Sequence, residues 1–237
     1  MSTEQKKSHI LAIGAHAGDM ELCAGATLAK YVQEGHKVTL LHLTPGEKGH
    51  QKLTPAEYAK QKIEEAHKFA DIIGADVRFF NYKDAELPLN DEIKYQVADV
   101  IREVKPDILI THWKNSMHMD HSRTHYIVQD AQFYAALKNI ERELPNHFAR
   151  KMYYTDNWED ADDFEPQVFI DIPEDAYETW LKALSQYAFA RGETGWPYIE
   201  YYSALKIVRG APVHMKRAEA FGVPRGALNK RLQMFDV

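Results

Sequence analysis

Two short segments carry the residues best suited to chemistry. Ala15-His16-Ala17-Gly18-Asp19 follows an apolar run, and residues 111–121 (THWKNSMHMDH) end in a histidine-rich stretch. His16, Asp19 and His121 together offer two imidazoles and a carboxylate. That donor set suits zinc with a fourth position left open to water, as in catalytic rather than structural sites. No thiolate cluster competes, because Cys23 is the only cysteine. A local alternative is open at this stage: His121 and His125 lie four apart and would face one way on a helix. His42, His112 and His214 read as hydrogen-bonded loop or strand-end histidines. No G-x-G-x-x-G turn follows the first apolar run, so nicotinamide binding is not expected.

For His16 and His121 to meet, the fold must bring two distant strand ends together. Ile10 to Gly14 reads as a buried strand, and Met20 to Glu34 as a helix stopped by Gly35. Val38 to Leu43 is a second strand. Thr54-Pro55-Ala56-Glu57 has the form of a helix start, with threonine as N-cap, proline in the first turn and glutamate three residues on. That helix runs to Ile73 and stops at Gly74. Val77 to Asn81 is a third strand, Asp91 to Val104 a helix, Ile108 to Thr111 a fourth strand and Ser122 to Leu137 a further helix. Met152 to Thr155 and Val168 to Ile172 read as strands, and Glu174 to Ala190 as helical.

Such alternation predicts an α/β fold: a Rossmann-like, mostly parallel sheet with helices on both faces and a less regular C-terminal third. Residues 1–237 read as a single domain, and the acidic run at 159–163 as a solvated loop. Ligands of such sheets bind at the carboxyl ends of the strands. That is where residues 15–19, residues 44–50 (TPGEKGH) and residues 111–121 would converge.

Composition sets outer limits. The chain has 237 residues, 45% hydrophobic and 27% charged, with a formal net charge of −6. No run of lysine or arginine stands out, so neither nucleic acid nor an anionic membrane is an expected partner. The lone cysteine, the polar first residues and the lack of any apolar run near the roughly 18 residues of a spanning helix predict a cytoplasmic protein.

The motifs, in order, resemble those of the PIG-L/LmbE-like zinc deacetylases. Residues 15–30 (AHAGDMELCAGATLAK) are similar to that family's AHPDD-x-E signature, and His118-Met119-Asp120-His121 to its H-x-D-H. Gly46-Glu47-Lys48-Gly49 resembles its GE-x-G loop, Ser185-Gln186 its SQ helix and residues 217–221 (RAEAF) its C-terminal [YR]AEAF stretch. The resemblance implies a mononuclear Zn2+ site at His16, Asp19 and His121. It implies hydrolysis of an acetamide on an N-acetylated, N-acetylglucosamine-like small molecule, and assembly as a homo-oligomer. His118 matches the histidine that stabilises the oxyanion, and Asp120 a residue that orients it.

The departure is Gly18, where the family has the aspartate that serves as general base. General-base help is worth about 10² to 10⁴ in rate. Three accounts stay open: a relocated base such as Glu47 or Asp120, unaided attack on a more reactive substrate, or a metal- and sugar-binding protein without full turnover. On the first reading of the motif, an aspartate restored at position 18 is expected to raise activity. Residues 45–53, 83–90 and 190–200 are expected to grip the substrate, with Trp196, Tyr198, Tyr201 and Tyr202 available to stack on a sugar.

Overall fold

The computed structural model describes residues 7–157 and 162–228. Only Asp162 and Asp163 of the acidic run fall among them, and both are exposed. The first strand, β1 (His9–His16), is parallel to β2 (Lys37–Thr44) on one side and to β4 (Ile108–His112) on the other. Outward from β2 lies β3 (Asp76–Phe79), and beyond β4 come β5 (Lys151–Thr155), β7 (Ala218–Gly222) and β6 (Val168–Asp171). The sheet order is therefore β3-β2-β1-β4-β5-β7-β6, parallel except for β7, which runs antiparallel to both neighbours.

Alternation along β1 explains both faces. Ile10 and Ala12 enter one apolar core, with α1 (Asp19–Cys23), α2 (Gly25–Gln33), α3 (Pro55–Ile73) and α6 (Glu174–Leu184). Leu11 and Ile13 enter the other, under α4 (Asp91–Val104) and α5 (Met119–Ala136). Side chains of successive strand residues point to opposite faces, so a continuous apolar run is what a doubly covered strand requires. No helix among the described residues is long and apolar enough to cross a membrane.

The expected α3 and α4 form at the residues named above. Thr54 caps α3 through its side chain and Glu57 reaches back, the capping box anticipated from the sequence. Three expectations need correction. The helix read over Met20 to Glu34 is two helices that meet at Ala24 (φ −130°). Its ladder is interrupted because the Glu21 carbonyl accepts the Trp180 indole N–H at 2.7 Å, while the Ala26 and Thr27 amides turn to the Glu219 carboxylate at 3.1 and 2.7 Å. The RAEAF stretch thus supplies, through Glu219, an anion at the start of α2, where helix dipole and free amides favour one.

Second, α6 ends at Leu184, and the chain to Ala190 folds into turns that bring Phe189 inward. Third, α7 (Tyr198–Gly210) and β7 lie where the sequence shows no clean period. Lys206 of α7 is buried beside Glu219 at 3.0 Å, so a charged residue sits where an apolar one would have marked the helix face.

Candidate metal centre

The sheet reverses its winding between β1 and β4, and ligand crevices of open α/β sheets lie at that point. Both strands end there in a histidine, His16 and His112. Asp19 opens α1 directly after β1, and His118 and His121 stand at the start of α5, just past β4. The fold thus brings His16, Asp19 and His121 together, with His118 alongside.

Asp19 Oδ2 lies 3.3 Å from His16 Nδ1 and 3.6 Å from His121 Nε2. Donor atoms about 2.0–2.2 Å from a tetrahedral zinc are separated by similar distances. The remaining nitrogen of each imidazole is also engaged. His121 Nδ1 lies 3.1 Å from Ser116 Oγ. His16 Nε2 lies 3.0 Å from Asp84 Oδ1 and 3.5 Å from Asp120 Oδ2, although neither contact has hydrogen-bond geometry. Partners on the far nitrogen are what fix the ring of a metal-bound histidine.

Charge tells the same story. Asp19, Asp84 and Asp120 surround one imidazole, and His16, Asp19 and Asp120 are all buried. Burial alone would lower the His16 pKa, but Asp19, Asp120 and Asp84 outweigh it and raise it well above the ordinary value. Burial alone would raise Asp84, yet His16 and the Lys48 amide hold it down at about 2. His121 goes the other way, pushed to about 3 by burial and by His112. A cluster rich in carboxylate around an imidazole that burial keeps neutral fits a divalent metal. Among the described residues, three overlapping groups of donor atoms cluster tightly enough for one: His16, His118 and His121; Asp19, His112 and His121; and His16, Asp84 and Asp120. The expected trio of His16, Asp19 and His121 is spread over these groups and is not itself one of them.

His112, read from sequence as a bystander, belongs to this centre. Asn157 donates its amide to two backbone carbonyls, leaving Oδ1 to accept from His112 Nδ1–H at 2.9 Å. His112 Nε2 then accepts the Ala15 amide at 3.0 Å, and Asp19 Oδ2 lies 3.1 Å away. Two acceptors facing each other in this way call for positive charge nearby, and Asp19 is held in place by the His16 amide, which donates to Oδ2 at 2.7 Å. The signal was present: His112 is the last residue of a buried strand at the switch point. Asp84 was missed too, although its loop leaves the carboxyl end of β3.

The other expected residues divide. His118 caps α5, and its Nδ1 accepts the Asp120 amide at 3.3 Å. Its proton therefore sits on Nε2, facing the pocket. The Asp120 carboxylate does not face His118; it accepts the Ala85 amide at 2.7 Å and backs His16. Glu47 holds the loop instead of facing the pocket, accepting the Asp84 amide at 3.0 Å. His125 donates its Nδ1–H to the His112 carbonyl at 2.8 Å. It joins none of the clusters, which leaves the local His121/His125 pair without support. His42 lies buried beneath the centre, 3.1 Å from Glu21. Gly46 (φ +77°) passes His16 so closely that a Cβ there would lie 3.0 Å from the His16 Cβ.

A pocket of about 250 Å³ opens beside the centre. It is lined by His16, Asp19, Asp84 and His118 together with Tyr58, Lys62, Phe189, Trp196 and Tyr198. Trp196 and Tyr198 thus line it as expected, whereas Tyr202 is buried in the core. The space beside Gly18 is filled. A Cβ at Gly18, where φ is +105°, would lie 2.6 Å from Phe189 Cζ and 3.3 Å from Lys62 Nζ. An aspartate restored there would have to displace the Phe189 ring before it could reach the centre.

A mostly parallel sheet with a buried imidazole–carboxylate cluster at its switch point, opening on a small pocket, defines an α/β protein with a candidate metal site beside a small cavity. The chain belongs to the PIG-L family: the family model, described as GlcNAc-PI de-N-acetylase, matches residues 11–132. It is 26% identical to 4-oxalmesaconate hydratase of Pseudomonas putida over 89% of this chain and 82% of that protein. It is 28% identical to diacetylchitobiose deacetylase of Thermococcus kodakarensis over 87% and 85%. Among solved structures, GalB, the 4-carboxy-2-hydroxymuconate hydratase of Pseudomonas putida, shares the fold with a TM-score of 0.84 at 21% identity, over 97% of this chain and 100% of that one. N,N'-diacetylchitobiose deacetylase of Pyrococcus horikoshii shares it at 0.80 and 22%, over 94% and 86%.

Proposed function

We propose that this protein is a zinc-dependent hydrolase that removes an acetyl group from an N-acetylated amino sugar or related small amide. The observation that carries the reading is the pairing of His16 and His121 on one Asp19 oxygen, with Ser116 on the far nitrogen of His121 and the Asp84 and Asp120 carboxylates around that of His16. His16, Asp19 and His121 would hold the ion. Zinc, when bound, lowers the pKa of its water to near 7 and polarises a carbonyl.

The chain's own residues do the rest. His118 presents Nε2–H to the pocket and donates to the oxygen on which negative charge develops. Asp84 is the carboxylate that lines the pocket together with Asp19, so it accepts the proton in place of an aspartate at position 18. Glu47 positions Asp84 by accepting its amide, and Asp120 orients His16. Assembly as a homo-oligomer is part of the same reading, supported by Met119, Tyr126 and Phe133, which α5 leaves exposed. A cytoplasmic location is part of it as well.

A second reading has a specific observation behind it. The base position is glycine with its space filled, and a relative aligned over most of the chain is named a hydratase. Water would then add to an activated double bond, with His118 and Asp84 handling the proton.

Turnover separates the readings. Zinc-loaded and chelator-stripped protein are incubated with a panel of N-acetylated amino sugars, with acetate release measured, and with conjugated unsaturated acids, with loss of absorbance measured. Metal-dependent acetate release is the expected result. Metal-dependent loss of absorbance without acetate would favour hydration. Zinc-dependent sugar binding with neither reaction would identify a binding protein.

A further inference from the structure

Lys62 is the only ammonium or guanidinium group lining the pocket among the described residues. It lies on the inward face of α3, with Tyr58, Glu65, Ala66 and Phe69, and is only 6% exposed. A lysine so buried ordinarily has an ion-pair partner, since an uncompensated charge in the interior is costly. Among the described residues none lies within 4.0 Å, and none makes a hydrogen bond to the ammonium. Aromatic rings surround it instead: Nζ sits 4.0 Å from the Phe189 centroid, 5.3 Å from Tyr187 and 5.9 Å from Tyr58. Ring faces steady a cation but satisfy none of its three N–H donors.

Those donors are also beside Gly18. The ammonium lies 3.3 Å from where a Cβ at that position would be, and it lines the same pocket as His16, Asp19, Asp84 and His118. An aspartate at position 18 would have neutralised Lys62 directly. Glycine leaves the charge unpaired and turned toward the cavity. Asp19, Glu21, Glu65 and Asp84 are near enough to favour its protonated form, although burial, the larger influence, lowers its pKa.

We propose that Lys62 binds a carboxylate of the substrate, so that the natural substrate is a small carboxylic acid whose reacting group faces His16 and His118. Gly18 is then an adaptation to the substrate: removing that side chain's charge frees Lys62 for a ligand anion. The inference rests on the preceding reading only for where the reacting end lies.

Isothermal titration of the zinc-loaded protein with succinic acid monohydroxamate and with its methyl ester tests the proposal, the two probes differing in one negative charge. A charge-assisted hydrogen bond contributes about 1.5–3 kcal/mol, so wild type is expected to bind the acid at least about tenfold more tightly than the ester. Lys62→Met is expected to bind the two alike. Equal affinities in wild type would overturn the proposal without recourse to any variant, as would a preference for the acid that persists in a folded Lys62→Met protein. A second arm is independent of metal. Succinate titrated into chelator-stripped protein, followed by Trp196 fluorescence, is expected to saturate in wild type and not in Lys62→Met. Saturation here with no hydroxamate binding above would support Lys62 and count against the metal reading. No saturation in wild type would count against Lys62.

Discussion

The two walls of the pocket are built by different means. The wall proposed to hold the metal comes from residues at or just beyond strand ends, His16, Asp19, Asp84 and His118, with His121 beside Asp19, each held by contacts to backbone or to another polar side chain. The other wall comes from α3, the turns after α6 and the start of α7, where Tyr58, Lys62, Phe189, Trp196 and Tyr198 meet mainly through aromatic rings. A metal demands particular donor atoms at fixed separations. Recognition of the rest of a small molecule demands shape and a few charges. The first wall is constrained by chemistry, the second by packing, and substitutions in each have different consequences.

The largest difference is expected at His118. His118→Ala removes a donor from the metal-binding wall without removing a ligand, and kcat is expected to fall about 10² to 10³-fold. Metal content, by elemental analysis, is expected to stay at the wild-type level. Loss of metal along with activity would make His118 a ligand and redraw that wall.

Gly18→Asp tests the packing of the two walls against each other. Overpacking costs about 1–3 kcal/mol, and a side chain at φ +105° adds strain. Denaturant unfolding is expected to show a loss of about 2–4 kcal/mol, partly recovered in Gly18→Asp/Phe189→Ala. A stable, more active Gly18→Asp protein would show that Phe189 yields easily and that this boundary is soft.

The smallest effect concerns the scaffold behind the metal-binding wall. His125 is shifted from 6.5 down to about 4, chiefly by burial, although its bond to the His112 carbonyl opposes the shift. A histidine kept neutral by the fold contributes stability that is present above the unfolded value and is lost as pH falls toward the folded one. Between about pH 7 and pH 5 that loss is about 2 kcal/mol. Unfolding free energies of His125→Gln are expected to fall correspondingly less over that range. Parallel pH curves for variant and wild type would remove His125 from this role.

The same contrast governs what was legible in the sequence. Thr54, Pro55 and Gly74 mark α3 because caps are local chemistry, and β1 to β4 show as apolar runs because both their faces are covered. His16, Asp19, His118 and His121 stand out because their residue types are uncommon in that spacing. Asp84 and His112 were obscured because one sits in a loop without pattern and the other looks like any strand-end histidine. Lys62 was hidden by its helix, since a charged residue within a run of charged and apolar residues gives no sign of which way it faces. Phe189 reaches Gly18 across more than 160 residues of chain, so no local signal could announce that contact.

Metal stoichiometry tests the central claim, that His16, Asp19 and His121 form one ion site at the end of β1. Purified protein is loaded with zinc, dialysed and measured by elemental analysis beside His16→Ala, Asp19→Ala and His121→Ala, with folding checked by circular dichroism. About one equivalent in wild type and near none in each folded variant is the expected result. Full zinc occupancy in a folded His16→Ala or Asp19→Ala protein would contradict the account and move the ion away from β1.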